Sequence, residues 1–270
     1  MAGKLIMKSD NRYKQIIEKI FFNHFKNGMK EVPFERDEIE RVAKNLKIKL
    51  PKNIGDIIYT FRYRVALPDS IASKAPKGME WIIRPAGQSK YKFVIAKFAN
   101  IHPSEILSQT KIPNATPGII ESYAFSDEQA LLAKIRYNRL IDIFTGIACY
   151  SLQSHLRSNV SDLGQIETDE IYVGIDKKGV HYIIPVQAKG SADKLGIVQI
   201  EQDIALCKSK FPNLVAKPIG AQFITDDLIA LFEFEISENG ITVVSEKHYR
   251  LVNPENLSPH ELLSYRNRTE

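Results

Sequence analysis

Apolar residues in the first part of the chain recur at helical spacing. Ile16, Ile17, Ile20, Phe21 and Phe25 fall on one side of a 3.6-residue period, which predicts an amphipathic helix over Asn11–Met29. A second helix is predicted from Arg36 to about Leu46, after Pro33 and ending near the basic stretch KIKLPK. A third follows Pro51, with Asn53 as its cap and Ile54, Ile57, Ile58 and Phe61 on its apolar side. Lys52, Thr60, Arg62 and Arg64 occupy its other positions. Met79–Arg84 and Lys90–Phe98 read as short strands joined by the turn-rich, basic connection PAGQSK.

The stretch His102–Ile120 contains Pro103, Pro113, Pro117 and Gly118 and reads as a linker. A long helical segment is predicted from Ser126 to Arg157, capped by Ser126 with Glu128 and Gln129 close behind, and broken near Gly146. Strand-like runs follow at Gln165–Ile175 and Val180–Ala188, then an amphipathic helix over Leu195–Lys210. Further strands are predicted at Lys217–Ile224, Leu228–Ile236 and Ile241–Val244. The order predicts an α/β protein of two domains, residues 1–110 and 111–270. In element order alone, the three helices and hairpin of the first part resemble winged-helix DNA-binding domains. That resemblance implies a third helix in the major groove and a hairpin on the backbone.

Charge sharpens the division. The chain carries a net charge of +5, but residues 1–110 hold 21 Lys/Arg against 11 Asp/Glu, and residues 111–270 hold 16 against 21. A basic part suits a polyanion, and an acidic part suits gathered carboxylates, as around a metal. No apolar run approaches the ~20 residues that span a bilayer. The start, MAGKLIMKSDNRYK, lacks the apolar segment of a secretory signal, so a cytoplasmic protein with no membrane partner is expected. Cys149 and Cys207 have no CxxC neighbour and read as inert core thiols. The histidines show neither HxH nor HExxH spacing, and no Walker loop or GxGxxG occurs.

The chemistry concentrates in GQIETDEIYVGIDKKGVHYIIPVQAKG, residues 164–190. A three-residue loop, Lys177-Lys178-Gly179, with Gly in the left-handed position, makes Asp176 and Val180 the closing pair of a hairpin. That register sets Asp169 across from Gln187 and Glu167 across from Lys189, all on one sheet face. A loop one residue longer or shorter would part Asp169 from Gln187. Two carboxylates, an amide oxygen and an ammonium suit a hard divalent cation beside a group that stabilises phosphate. Asp169 would anchor the metal, with the Gln187 carbonyl as second ligand. Lys189 would position water or offset charge on the phosphate, and Glu167 would be an outer ligand or the partner of Lys189.

Here the sequence resembles nucleases of the PD-(D/E)xK, restriction-endonuclease-like fold. Their signature is an acid on one strand, then acid-x-Lys on the next, within an αβββαβ-type core. Asp169 matches the first acid and Gln187-Ala188-Lys189 occupies the tripeptide. The resemblance covers roughly residues 120–236, and the Leu195–Lys210 helix, with Gln199, Gln202 and Asp203, falls where that family has its second core helix. Gln187 departs from the usual acid, and Glu128 or Asp142 from the long helix is a candidate to make up the missing charge.

The resemblance implies a restriction-endonuclease-like mixed sheet flanked by helices, an N-terminal winged-helix-like domain, and Mg²⁺-dependent hydrolysis of double-stranded DNA at a short site. A homodimer is expected by analogy. Arg62, Arg64, Lys90 and Lys92 are candidate phosphate contacts, and Gln153, His155 and Arg157 are candidates for phosphate or base contact. Two other readings stay open: a DNA-binding regulator with a degenerate nuclease domain, and a repair nuclease that reads DNA structure.

Overall fold

Short-range rules shape each element, and two separate cores divide the chain. The computed structural model describes residues 2–63, 65–97, 100–123, 127–160, 163–191, 193–237 and 240–268, with backbone alone for 2–11, 127 and 237. Arg64 and the Ser126 cap therefore lie outside the described residues. One compact unit comprises Met1–Ile101 with the short stretches Asn159–Ile166 and Gly196–Val198. The other comprises His102–Ser158, Glu167–Leu195 and Gln199–Glu270.

The first unit runs α1 (Ala2–His24), β1 (Glu31–Glu35), α2 (Arg36–Asn45), α3 (Gly55–Tyr63), α4 (Asp69–Ala72), β2 (Glu80–Pro85), β3 (Lys90–Ala96) and β4 (Asn100–Ile101). The first helix starts earlier than the apolar period predicts and ends at His24, ahead of Gly28, whose φ is +89°. Helix α2 begins with a reciprocal cap between Glu35 and Glu38. At α3, the Asn53 side chain accepts the Gly55 N–H at 3.1 Å. Strand β1 lacks a sequence signal because Pro33 interrupts it. Its place at the edge of the antiparallel sheet β1-β3-β2 accommodates that proline. Ile16, Ile20, Phe21, Ile39, Ile57 and Phe93 build a fully buried core.

The second unit begins with β5 (Gln109–Pro113), α5 (Gly118–Tyr123), α6 (Asp127–Tyr137), α7 (Leu140–Thr145), β6 (Ala148–Val160), β7 (Gly164–Ile175) and β8 (His181–Lys189). It continues through β9 (Leu195–Gly196), α8 (Ile197–Lys210), β10 (Val215–Ala216), β11 (Ile219–Thr225), β12 (Leu228–Ser237), β13 (Gly240–Val252), a 3-10 turn (Pro254–Asn256) and α9 (Pro259–Arg266). The principal sheet has the order β5-β13-β12-β11-β8-β7-β6. Strand β11 runs parallel to β8, and β7 and β12 pair antiparallel with their neighbours β8 and β11. The protein is thus mixed α/β, with a mixed sheet and helices. Leu131, Leu132, Ile135, Leu140 and Ile141 of α6 and α7 pack on Tyr172, Ile184, Val186 and Ala188. Side chains alternate along β8, so Gln187 points to the other face, where α8 receives it.

Three expectations are corrected. Residues 148–157 form a strand, not the end of a long helix: Gly146 caps α7 with φ +67°, and the chain then extends beside β7. Leu152 and Leu156, four apart, share a face in a strand as well as in a helix, so their spacing does not separate the two. The stretch read as a linker contains β5, which pairs parallel with β13, and the start of α5. Strand β13 also runs well past Val244, because the polar-looking His248 and Tyr249 are buried. Among the described residues, no helix is long and apolar enough to cross a membrane.

Gly174 lets β7 approach Ile147 and the start of β6. A Cβ there would lie 2.6 Å from Ile147 Cγ2 and 3.2 Å from Cys149 Sγ. Gly174→Ala is therefore expected to cost about 1–3 kcal/mol of stability. The urea midpoint would fall with an unchanged slope.

Candidate functional site

The hairpin loop sets the site. Gly179, with φ +80°, donates its N–H to Asp176 O at 3.0 Å, and Asp176 N–H meets Val180 O at 3.2 Å. The Asp176 carboxylate accepts the Val180 and Lys178 N–H groups at 2.9 and 2.8 Å, which lowers its pKa. The ladder then runs from Ile175↔His181 to Glu170↔Val186, the register that an Asp176–Val180 closing pair requires.

Beyond Glu170 the side chains take over. Asp169 Oδ2 accepts the Ala188 N–H at 2.8 Å, so this carboxylate bridges the two strands. Thr168 donates to Asp203 on α8 at 2.6 Å, whereas Glu170 receives Arg136 of α6 at 3.0 Å and Ser151 at 2.6 Å. In a regular strand Thr168 and Glu170 would share a face. Here they serve opposite faces, and Asp169 sits at the crossover.

Lys189 ends β8 with only 11% of its side chain exposed. Its Nζ lies 2.7 Å from Glu128 Oε1 on α6 and 4.0 Å from Asp169 Oδ2. Burial raises the Asp169 pKa. Lys189 and the Ala188 N–H pull it back down, while Glu128 pushes it up. Asp169 and Lys189 thus stand near each other, and Glu128 joins them from α6.

Gln187 and Glu167 take other partners. The Gln187 amide, 1% exposed, donates to Asp203 Oδ1 at 3.1 Å and Glu167 O at 3.3 Å. Its Oε1 accepts from Gln199 Nε2 at 3.3 Å. The oxygen expected to share a cation with Asp169 is thus committed to α8. The Glu167 carboxylate accepts two bonds from Arg157, at 3.0 and 3.3 Å, and lies 3.3 Å from His155 Nδ1, away from Lys189. Asp203 is fully buried with Oδ2 unpartnered, and burial pushes its pKa up to about 8 against the Thr168 and Gln187 hydrogen bonds. These contacts account for an amide at position 187. A carboxylate there would face both the Asp203 carboxyl and a backbone carbonyl with nothing to donate.

The candidate nucleic-acid contacts are scattered over several elements. Gln153, His155 and Arg157 lie exposed along β6, the edge strand, with Arg157 engaged by Glu167. In the first unit, Arg62 rests 4.8 Å over the Tyr63 ring, with Nε and Nη2 buried and unpartnered. Lys90 is exposed at the start of β3, and Lys92 pairs with Glu31 at 2.9 Å. Cys149 and Cys207 are free and buried, and burial pushes their thiols up to about 11 and about 12. Sequence reasoning noted Asp203 without its role. Its signal is an acid on the apolar stripe of Ile200, Ile204 and Cys207.

Among the described residues, no three His, Cys, Asp or Glu side chains form a metal-sized group. Compared with protein-family models, with curated proteins and with solved structures, the chain matches none.

Two outcomes follow from the Asp203 network. A carboxyl whose folded pKa exceeds its unfolded value stabilises fully below about pH 4 and loses that contribution as the pH rises through about 8. Asp203→Asn mimics the neutral acid, so its melting temperature should gain steadily on the parent between those limits. A constant gap would contradict the assignment. Gln187→Glu is expected to cost about 2–3 kcal/mol in chemical denaturation, since it leaves buried acceptors unpaired.

Proposed function

We propose that the chain is a metal-dependent deoxyribonuclease of the PD-(D/E)xK, restriction-endonuclease-like kind, acting on phosphodiester bonds of duplex DNA. The observation that carries this reading is the buried Lys189 ammonium, held by Glu128 and flanked by Asp169 at the end of the β7–β8 hairpin. The element order supports it: α6 and α7, then β6, β7 and β8, then α8, then β11 parallel to β8. With the two-residue strands β9 and β10 left aside, that order is similar to the αβββαβ order of the family, with Asp169 and Lys189 on the second and third strands. In the first unit, helices α1, α2 and α3, the strands between and after them, and the sheet order β1-β3-β2 support a winged-helix-like DNA-binding domain.

The donor set fits a hard cation. Two carboxylates of different elements converge on one ammonium, and oxygen ligands are those that Mg²⁺ takes. Asp169 and Glu128 would hold it, with Glu128 in the place that Gln187 leaves without charge. When bound, Mg²⁺ polarises a phosphoryl oxygen and lowers the pKa of water. Lys189, anchored and largely withdrawn from solvent, orients water at the phosphorus and offsets negative charge that grows in the transition state. Lys90, exposed at the start of β3, suits contact with a DNA phosphate, which would make binding weaken with salt. Two copies acting on antiparallel strands would make the working form a dimer.

Incubation of the purified protein with mixed-sequence duplex DNA, with and without Mg²⁺, tests the reading. Discrete fragments are expected, with cleavage reduced about 100-fold or more in Lys189→Ala and Asp169→Ala. Binding without cutting across several divalent metals would reject the enzyme and favour a DNA-binding regulator. Cutting confined to branched or flapped substrates would favour a repair nuclease.

A further inference from the structure

His155 stands in the left-handed region, with φ +50°, in the middle of β6. A residue with a Cβ adopts that conformation rarely and at a cost. His155 buries little to repay it, since 45% of its side chain is exposed. What the conformation achieves is a bridge. One ring nitrogen, Nε2, lies 2.8 Å from Gln129 Nε2, and the other, Nδ1, lies 3.3 Å from Glu167 Oε1.

Both partners flank the candidate site. Gln129 follows Glu128 on α6, and Glu167 stands two residues before Asp169 on β7. Arg157 holds the Glu167 carboxylate through two hydrogen bonds, so that end of the bridge is anchored. An amide N–H from Gln129 makes Nε2 an acceptor. The other ring nitrogen, Nδ1, faces the Glu167 carboxylate at 3.3 Å. The imidazole thereby ties the helix that carries one carboxylate of the site to the strand that carries the other.

We infer that His155 is a positioning residue: its ring fixes the spacing of Glu128 and Asp169, and so the affinity of that pair for a divalent cation. The inference rests on the reading of Asp169 and Glu128 as the cation-holding pair. The ring reaches the pair only through Gln129 and Glu167, near neighbours of Glu128 and Asp169 in sequence, one step beyond the outer partners of metal ligands, whose loss commonly weakens binding about 10–100-fold. A glycine at 155 keeps the backbone conformation without a bridge. An asparagine tolerates the same φ and sets an amide where Nδ1 faces Glu167, one end of the bridge.

Mn²⁺ binding to the DNA-free protein, followed by electron paramagnetic resonance with Asp169→Ala as the site control, tests this. His155→Gly is expected to weaken Mn²⁺ binding about tenfold or more. Its melting temperature should stay within about 3 °C of the parent, because the strained backbone is relieved as the bridge is lost. His155→Asn should recover part of the affinity. Unchanged Mn²⁺ affinity in His155→Gly overturns the inference, as does an asparagine variant no better than glycine or a parent that binds no Mn²⁺. A parent that binds Mn²⁺ and cuts DNA, with a glycine variant of equal affinity, removes the bridge alone. A parent that binds Mn²⁺ through Asp169 but cuts nothing, with a weakened glycine variant, removes the nuclease reading and leaves the bridge.

Discussion

An ammonium taken out of water must find opposite charge, because the effective desolvation cost is several kcal/mol per ion. Lys189 meets that condition with Glu128 at 2.7 Å and Asp169 at 4.0 Å. The consequence runs outward through the second unit. Helix α6 has to lie where Glu128 reaches the end of β8. The hairpin has to hold the register that brings Asp169 beside Ala188. Both conditions trace to local chemistry: the left-handed Gly179 of the loop and the apolar side of α6, where Leu131, Leu132 and Ile135 pack on β8. The trio holds two carboxylates against one cation, and that excess of negative charge is what a divalent ion would find there.

Two other buried acids show how environment divides like residues into different tasks. Glu170 and Asp203 are both fully buried and both stand close to Asp169, one through sequence and one through space. Glu170 has the Arg136 guanidinium at 2.8 Å and the Ser151 hydroxyl. Asp203 has only a hydroxyl and an amide as donors, and burial dominates its proton affinity. The acid with a cation serves the α6 face as part of an ion pair. The acid without one serves the α8 face as a neutral anchor for Gln187. Asp169 sits between the faces, with a backbone donor and a nearby ammonium.

The most legible part of the sequence was the part with the fewest local alternatives. A single glycine in DKKG defines the loop, the loop defines the register, and the register carries Asp169 and Lys189 to the same end of the hairpin. Alternation alone does not reveal that β7 changes face at Asp169. Gln187 therefore reads as a ligand of the site, when it belongs with Thr168 to an α8 network. Gln187 looked like a weakened ligand because a motif assigns a role by position. In the folded chain, the donors and acceptors around it select an amide. Strand β6 was misread for a different reason: its leucines fit both periods, and only its pairing with β7 chooses between them.

The shape of β6 follows from its place at the edge of the sheet. An edge strand of 13 residues invites pairing with other chains, and bulges and charges are the usual defences. The left-handed residue at 155 and the nearby Arg157 serve that end, but edge protection needs only a bend. Glycine or asparagine bends a strand more cheaply than histidine does. The imidazole is therefore the part that protection leaves unexplained, and its two nitrogens face the two residues that border the carboxylates of the site. The bend belongs to the sheet and the ring to the site. One residue answers both demands because the edge of this sheet also carries the contacts to Gln129 and Glu167.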